Sequence, residues 1–392
     1  MKKIFVSLVI LMMSCGVAAA NIVYTTAEGG LGMIQISSSS SADVTGVTYN
    51  GEAGSIAAPY WENNTSNGTG NSKIIFITPV ESNDPELSGD TALRFASSSK
   101  LTTPLDNEDK PIILENTYGR PIVASTNGGA SLYLATGATV REYDTENFKI
   151  RNVYSYKSDD ISPNPEIKGV LTTDYRVYVL VARNTTISGD LVLSLNGLLT
   201  LNTENVEKWE LPFTDSRAHT ISLLSSSRIA VGCDDGVYVT TKSKTTQLVS
   251  TDIPVVAICK DTGKGFYYIL QSEDADGTKT NSLYHYEENQ EPAALLTGIT
   301  GNSAQLIKDP KYKVIAALIG EEIALINMED DDVFEIYTAT ELGGTVAGGT
   351  PISAAASSSS GNSASSSSGC QLTGAGLVLI LAMLTKLQFR RK

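Results

Sequence analysis

One unit returns seven times along this chain: an alternating apolar strand, a polar turn and a second strand. It begins at Gly32–Ser37 and recurs at Ala92–Ser97, Val140–Ile150, Leu199–Trp209, Val237–Thr241, Leu283–Asn289 and Ile323–Asp330. The turns centre near residues 40, 98, 146, 204, 243, 289 and 330, so neighbours are 39 to 58 residues apart. A hairpin of this kind has one apolar face too small to bury by itself, and repetition at such a spacing means that neighbouring units bury each other's faces. The spacing brackets a four-stranded propeller blade with loops of varying length.

The last two units divide most cleanly. Residues 254–259, 265–271, 281–287 and 293–296 read as four strands of one blade, and 303–308, 313–319, 322–328 and 333–339 as four of the next. Most are apolar throughout or alternate, as expected for small sheets covered on both faces. Asn21–Thr26 is a spare strand that pairs with the first or final blade and removes an exposed edge. No stretch of the body carries a 3.6-residue apolar stripe, which disfavours α-solenoids and α/β sheets. The expected fold is all-β, a β-propeller of about seven four-stranded blades. The competing architecture is two β-sandwich domains joined near Pro163-Asn164-Pro165.

Both ends read as targeting segments. Lys2 and Lys3 precede an apolar run from Ile4 to Met13, and Ala18, Ala19 and Ala20 offer the small residues a signal peptidase needs. Residues 1–20 are therefore expected to be a signal peptide, with a rival lipoprotein-type cut at Cys15. The body is expected over 21–342, followed by a Ser/Gly-rich linker over 343–370 that is too poor in apolar surface to fold. Within 371–392, Leu372–Thr385 is an apolar stretch of 14 residues with glycines at 374 and 376, shorter than the roughly 20 of a spanning helix. Snorkelling by Lys386 extends the usable length toward Phe389. Arg390, Arg391 and Lys392 hold the basic end on the cytoplasmic side, leaving the body outside the membrane. On charge and hydropathy alone this tail is a plain C-terminal anchor.

Ser368-Gly369-Cys370, a short hydrophobic helix and the closing basic cluster, set behind a Ser/Gly spacer, resemble the three-part C-terminal sorting signals of bacterial surface proteins. They are most similar to the Synergistes-type signal built around a cysteine. The resemblance implies processing within the membrane at Cys370, attachment to the cell envelope, and a C-terminal processing machinery as partner. A eukaryotic glycolipid-anchor signal shares the small residues and greasy tail but ends in apolar residues, unlike Arg390-Arg391-Lys392.

The whole chain carries a formal charge of −14. Removing both terminal segments takes away six basic residues and no acidic one, leaving a charge near −20. Such a body repels nucleic acid and anionic lipid, so nucleic-acid partners are not expected. Cys233, Cys259 and Cys370 remain after cleavage at Ala20, which is too few for a disulfide scaffold. Whether Cys233 and Cys259 pair or are buried separately stays open at this level.

Catalytic signatures are sparse. His219 and His285 are the two histidines of the chain, which excludes a His-rich metal site, and each reads first as a satisfied core or surface imidazole. No nucleophile elbow, zinc-protease helix or P-loop occurs; Gly263-Lys264-Gly265 lacks the flanking glycine and hydroxyl. Asp274 and Asp276 in one turn, and Glu329 to Asp332 in another, bring carboxylates close enough for Ca²⁺, while turns also select Asp and Gly for backbone reasons. Asp234-Asp235-Gly236 reads as a turn. Tyr60 and Trp61 form an aromatic pair beside a Gly/Asn loop, suited to stacking on a sugar, whereas Trp209 falls in a strand.

The expected function is an exported, envelope-sorted surface binding or scaffold module for a protein or glycan ligand. Two other classes remain: an extracytoplasmic metal-assisted lyase, lactonase or glycan hydrolase on the same propeller, and a surface-layer or adhesive protein.

Overall fold

The computed structural model describes residues 20–50, the strands between 57 and 210, and 216–352 apart from Lys242 and Pro310. Contacts divide the chain into two units, 1–355 and 356–392; the described residues all belong to the first. Residues 1–19, the Ser-rich run and the apolar stretch after it lie outside them.

The described strands form seven antiparallel sheets. Sheet 1 contains β1 (Ala20–Thr26), β2 (Gly30–Ser38) and β3 (Ser41–Asn50). Sheet 2 contains β4 (Ala57–Glu62), β5 (Lys73–Pro79), β6 (Thr91–Ser97) and β7 (Lys100–Leu105), with β8 (Ile112–Leu114) also on β6. Sheet 3 runs β9 (Ile122–Thr126), β10 (Ser131–Thr136), β11 (Thr139–Asp144), β12 (Lys149–Ser155). Sheet 4 runs β13 (Glu166–Thr173), β14 (Arg176–Ile187), β15 (Asp190–Leu201), β16 (Val206–Glu210). Sheet 5 holds β17 (Ala218–Ser225), β18 (Arg228–Cys233), β19 (Gly236–Thr240) and β20 (Thr245–Ser250). Sheet 6 holds β21 (Val255–Lys260), β22 (Phe266–Glu273), β23 (Lys279–Tyr286) and β24 (Ala293–Thr300). Sheet 7 holds β25 (Ser303–Asp309), β26 (Val314–Gly320), β27 (Glu322–Asn327) and β28 (Val333–Tyr337). One helical turn, α1 (Ala339–Leu342), and a last strand, β29 (Val346–Ile352), complete the described chain.

In every sheet the repeated unit found in the sequence is the hairpin of the last two strands, from β2–β3 through β27–β28. The first strands of successive sheets are neighbours, in the order β29, β4, β9, β13, β17, β21, β25 and back to β29. The series is therefore cyclic and propeller-like. This order also replaces the two-sandwich reading: β9–β12 and β13–β16, on either side of Pro163-Asn164-Pro165, are successive members of one series, with β9 against β13.

The expected body boundary at residue 342 is corrected by β29. Val346–Ile352, assigned to the linker on its Gly, Thr and Pro content, pairs along β1 from Asn21↔Ile352 to Thr26↔Val346 and supplies the first strand of sheet 1. Its small residues serve close packing rather than flexibility. A Cβ on Gly349 would run into the side chains of Ile307 and Leu318, and Gln305 holds both backbone groups of Gly349 at 3.0 Å. Pro351 is tolerated because β29 has a partner on one side only. The spare strand expected at Asn21–Thr26 is β1, flanked by β2 and β29.

Core clusters lie between successive sheets. Along β22 the alternation sends Phe266 and Tyr268 toward sheet 5, where they join Val237 and Val249, while Tyr267 and Ile269 join Ile315 and Ala317 of sheet 7. Because both faces are covered, every residue of β26 is buried, as two-sided packing requires. The cluster across the closing seam joins Ile22, Tyr24, Ile34 and Ile36 of sheet 1 to Val314, Leu318 and Leu325 of sheet 7. The Tyr24 hydroxyl donates to the carbonyl of Leu342, 2.9 Å away, and so ties the first strand to α1.

Candidate functional site

The residues singled out in the sequence separate into several places. Ser368, Gly369, Cys370, Arg390, Arg391 and Lys392 lie outside the described residues. Tyr60 and Trp61 fall near the end of β4, in register with Ile75 and Ile74, just before its last residue Glu62. Trp209 is in β16 opposite Leu198. Asp274 and Asp276 occupy the exposed β22–β23 turn. There one Asp274 oxygen accepts the N–H groups of Asp276 and Thr278 at 3.0 and 2.9 Å, and Gly277 takes φ +80°. That carboxylate shapes a turn. Among the described residues no three His, Cys, Asp or Glu side chains converge as a metal set.

Cys233 and Cys259 are separate free thiols. Burial, with Asp235 and Asp234 nearby, pushes the Cys233 thiol far up. Burial pushes Cys259 up to about 12, with Lys308 acting against the shift and Asp261 adding to it.

Two polar clusters emerge instead at turns. In the first, Cys259, Tyr267 and His285 lie side by side across β21, β22 and β23. The His285 ring stacks on Tyr267 with centroids 4.2 Å apart and planes within 7°. Its Nδ1 lies 2.7 Å from Asp331 Oδ2 and its Nε2 3.3 Å from Asp261 Oδ2. The Tyr267 hydroxyl donates to the other Asp331 oxygen at 2.6 Å. Asp261 is fixed by its own turn, accepting the N–H groups of Gly263 and Gly265 at 2.7 and 2.9 Å. The Asp-x-Gly-x-Gly stretch that fails as a phosphate loop is thus a carboxylate-capped turn. Lys308 of β25 donates to the Asp261 carbonyl at 2.7 Å, and burial lowers its pKa. Asp331, at φ +60°, reaches the cluster from the β27–β28 turn, so part of the acidic run read as a calcium candidate links sheet 7 to sheet 6.

The second cluster belongs to sheet 5. Asp234 accepts the Arg217 N–H at 2.9 Å and faces His219 Nε2. Asp235 bonds Ser216 and accepts the Tyr238 hydroxyl at 2.7 Å. Asp234-Asp235-Gly236 is the β18–β19 turn, as expected, and its side chains fasten the start of β17. Asp261, Asp331 and Tyr267 were missed as partners of His285 because spacing alone pairs no residues across separate turns. The local signal was Asp with Gly two and four positions on.

An open recess lies on the closing seam. Its walls are Ser38 and Ser39 from the β2–β3 turn, Lys311, Tyr312 and Lys313 from the β25–β26 turn, and Glu329 from the β27–β28 turn, around about 340 Å³. Asp309, buried at the end of β25, shapes the wall by accepting the N–H groups of Lys311 and Tyr312 at 2.8 and 2.9 Å. The Lys311 ammonium sits 4.6 Å from the Tyr312 ring centre, and Lys313 pairs with Glu329. The Tyr312 hydroxyl oxygen is buried with no hydrogen-bond partner among the described residues. Lys313 adopts φ +55°, a region uncommon for a residue with a Cβ. Two ammonium groups against one carboxylate leave a local positive surplus on an acidic chain.

No family signature matches the chain, and no curated protein sequence aligns with it significantly. Solved structures of similar arrangement include the nidogen/laminin complex, at 8% identity over 86% of this chain and 99% of that one, TM-score 0.45. Apo AztD from Citrobacter koseri is similar at 8% identity over 86% and 98%, TM-score 0.48. The tricorn protease is similar at 9% identity over 82% of this chain and 36% of that one, TM-score 0.47.

Proposed function

We propose that the chain is an exported, envelope-sorted seven-bladed β-propeller that acts as a surface binding or scaffold module. The observation that carries this reading is the division of labour among polar groups in the described part. The two turn clusters spend their donors and acceptors on fastening turns and sheets, while the recess at the seam keeps exposed ammonium groups. Rigid sheets presenting turns of this kind make a recognition surface. The recess suits a small polar ligand bearing one negative charge, such as the carboxylate of an acidic sugar, because its positive surplus, hydroxyls and ring edge are complementary to one.

Two measurements test the reading. Fractionation should recover the chain in the cell envelope with the segment after Cys370 removed; full-length chain in the cytoplasm, uncut at both ends, overturns the export half. Titration of the purified chain with glucuronate, monitored by tyrosine fluorescence, should show saturable binding weakened about tenfold or more by Lys311→Glu, a change worth about 1.4 kcal/mol. Equal responses to glucuronate and to neutral glucose, or no effect of the substitution, overturn the assignment of the recess.

A further inference from the structure

We propose that His285 is a proton-dependent clamp between sheets 6 and 7, fastening them in its imidazolium form. Both ring nitrogens face carboxylate oxygens, Nδ1 that of Asp331 and Nε2 that of Asp261. An ionised carboxylate only accepts, and a neutral imidazole has one donor and one acceptor. The neutral ring would therefore set a lone pair against one of the two anions, whereas the imidazolium donates to both. The carboxylates are held as acceptors by other donors, Asp331 by the Tyr267 hydroxyl and Asp261 by the N–H groups of Gly263 and Gly265.

The surroundings agree from each packed element. On β22, Tyr267 lays its ring flat on the imidazole, an arrangement that favours a cation over the ring face. On β21, Cys259 lies in the same cross-strand row, its thiol kept neutral by burial. From β25, Lys308 is tied to the Asp261 carbonyl, which offsets the second anion. The β27–β28 turn supplies Asp331. His285 is 5% exposed, so water cannot easily replace a lost hydrogen bond.

The sign of the effect follows from linkage. The imidazolium donates to both carboxylates and a ring that has given up its proton cannot, so the clamp's contribution declines as pH rises. The clamp thus holds the contact between the last two sheets more tightly in a mildly acidic medium than in an alkaline one.

Two histidines in the chain make the test direct. The full chain labelled with ¹⁵N-histidine, and its His219→Gln variant for assignment, should show both ring nitrogens of His285 protonated at pH 6.5. Melting curves of wild type and His285→Gln should differ by about 2–4 °C at pH 6 and converge by pH 9. Asp331→Asn should remove the same pH-dependent part. If His285→Gln fails to fold, the nitrogen spectrum of the wild type decides. A His285 ring carrying a single proton at pH 6.5, or melting differences that stay constant from pH 6 to 9, overturns the proposal.

Discussion

Gly236 shows how much one position can carry. It closes the β18–β19 turn at φ +143°, and a Cβ there would strike the Val249 carbonyl on β20. Both costs, the backbone region and the collision, fall on Gly236→Ala together, so the variant should lose about 3 kcal/mol or more, read as a lower denaturation midpoint at unchanged slope. The two described thiols make an opposite kind of prediction. Burial keeps Cys233 and Cys259 in the protonated form, Cys259 up to about 12, and only the thiolate reacts. A thiol reagent at pH 8 should label neither in the native chain and both after denaturation, and the increment should be two free groups with no reductant added. At this scale the sequence was partly readable. The turn at Asp234-Asp235-Gly236 announces itself through its glycine, but the partners of its carboxylates, Ser216, Arg217, His219 and Tyr238, are set by which strand comes to lie beside it.

At the scale of elements, the seven hairpins were legible because each combines a two-residue alternation with a polar turn, and both signals are local. The strands that open each sheet are harder to read. β29 has a small-residue composition like that of the Ser/Gly-rich sequence after it and becomes a strand because β1 offers a full row of partners, while Ile307 and Leu318 leave room at position 349 for nothing larger than glycine. A chain ending at residue 342 would therefore lose the first strand of sheet 1 and the cover of Val346 over the seam cluster. Such a truncation should abolish cooperative melting or lower its midpoint by about 10 °C or more, since a ladder and a core face disappear together; ending at residue 355 should leave the melt intact. Circular dichroism of the two truncated chains against the full chain distinguishes these outcomes. The His285 cluster sits at the same scale. In the sequence its histidine resembles any satisfied imidazole and its acidic partner a metal candidate, because nothing in the linear order brings residues 261, 285 and 331 to one point.

Across the whole first unit, the cyclic order of sheets explains why an acidic chain with few cysteines can be stable. Sheets 4 to 7 are each covered on both faces by their neighbours, and aromatic pairs such as Phe266 with Tyr286, 4.9 Å apart, and Tyr268 with Tyr284, 5.5 Å apart, fill the interfaces, each adding about 0.5–1.5 kcal/mol beyond simple burial. The recess at Lys311 and Tyr312 exists only where sheet 7 meets sheet 1. It was invisible in the sequence because its walls come from residues 38 and 39 at one end and 311 to 329 at the other.

The position of β29 also sets a clock. Sheet 1 begins with the earliest described residues yet lacks its opening strand until residue 352 has been synthesised, so the nascent chain must wait with β1 uncovered along one side. The ring's first sheet is finished by the last strand described, so closure belongs to the end of synthesis and depends on both ends of the described chain meeting.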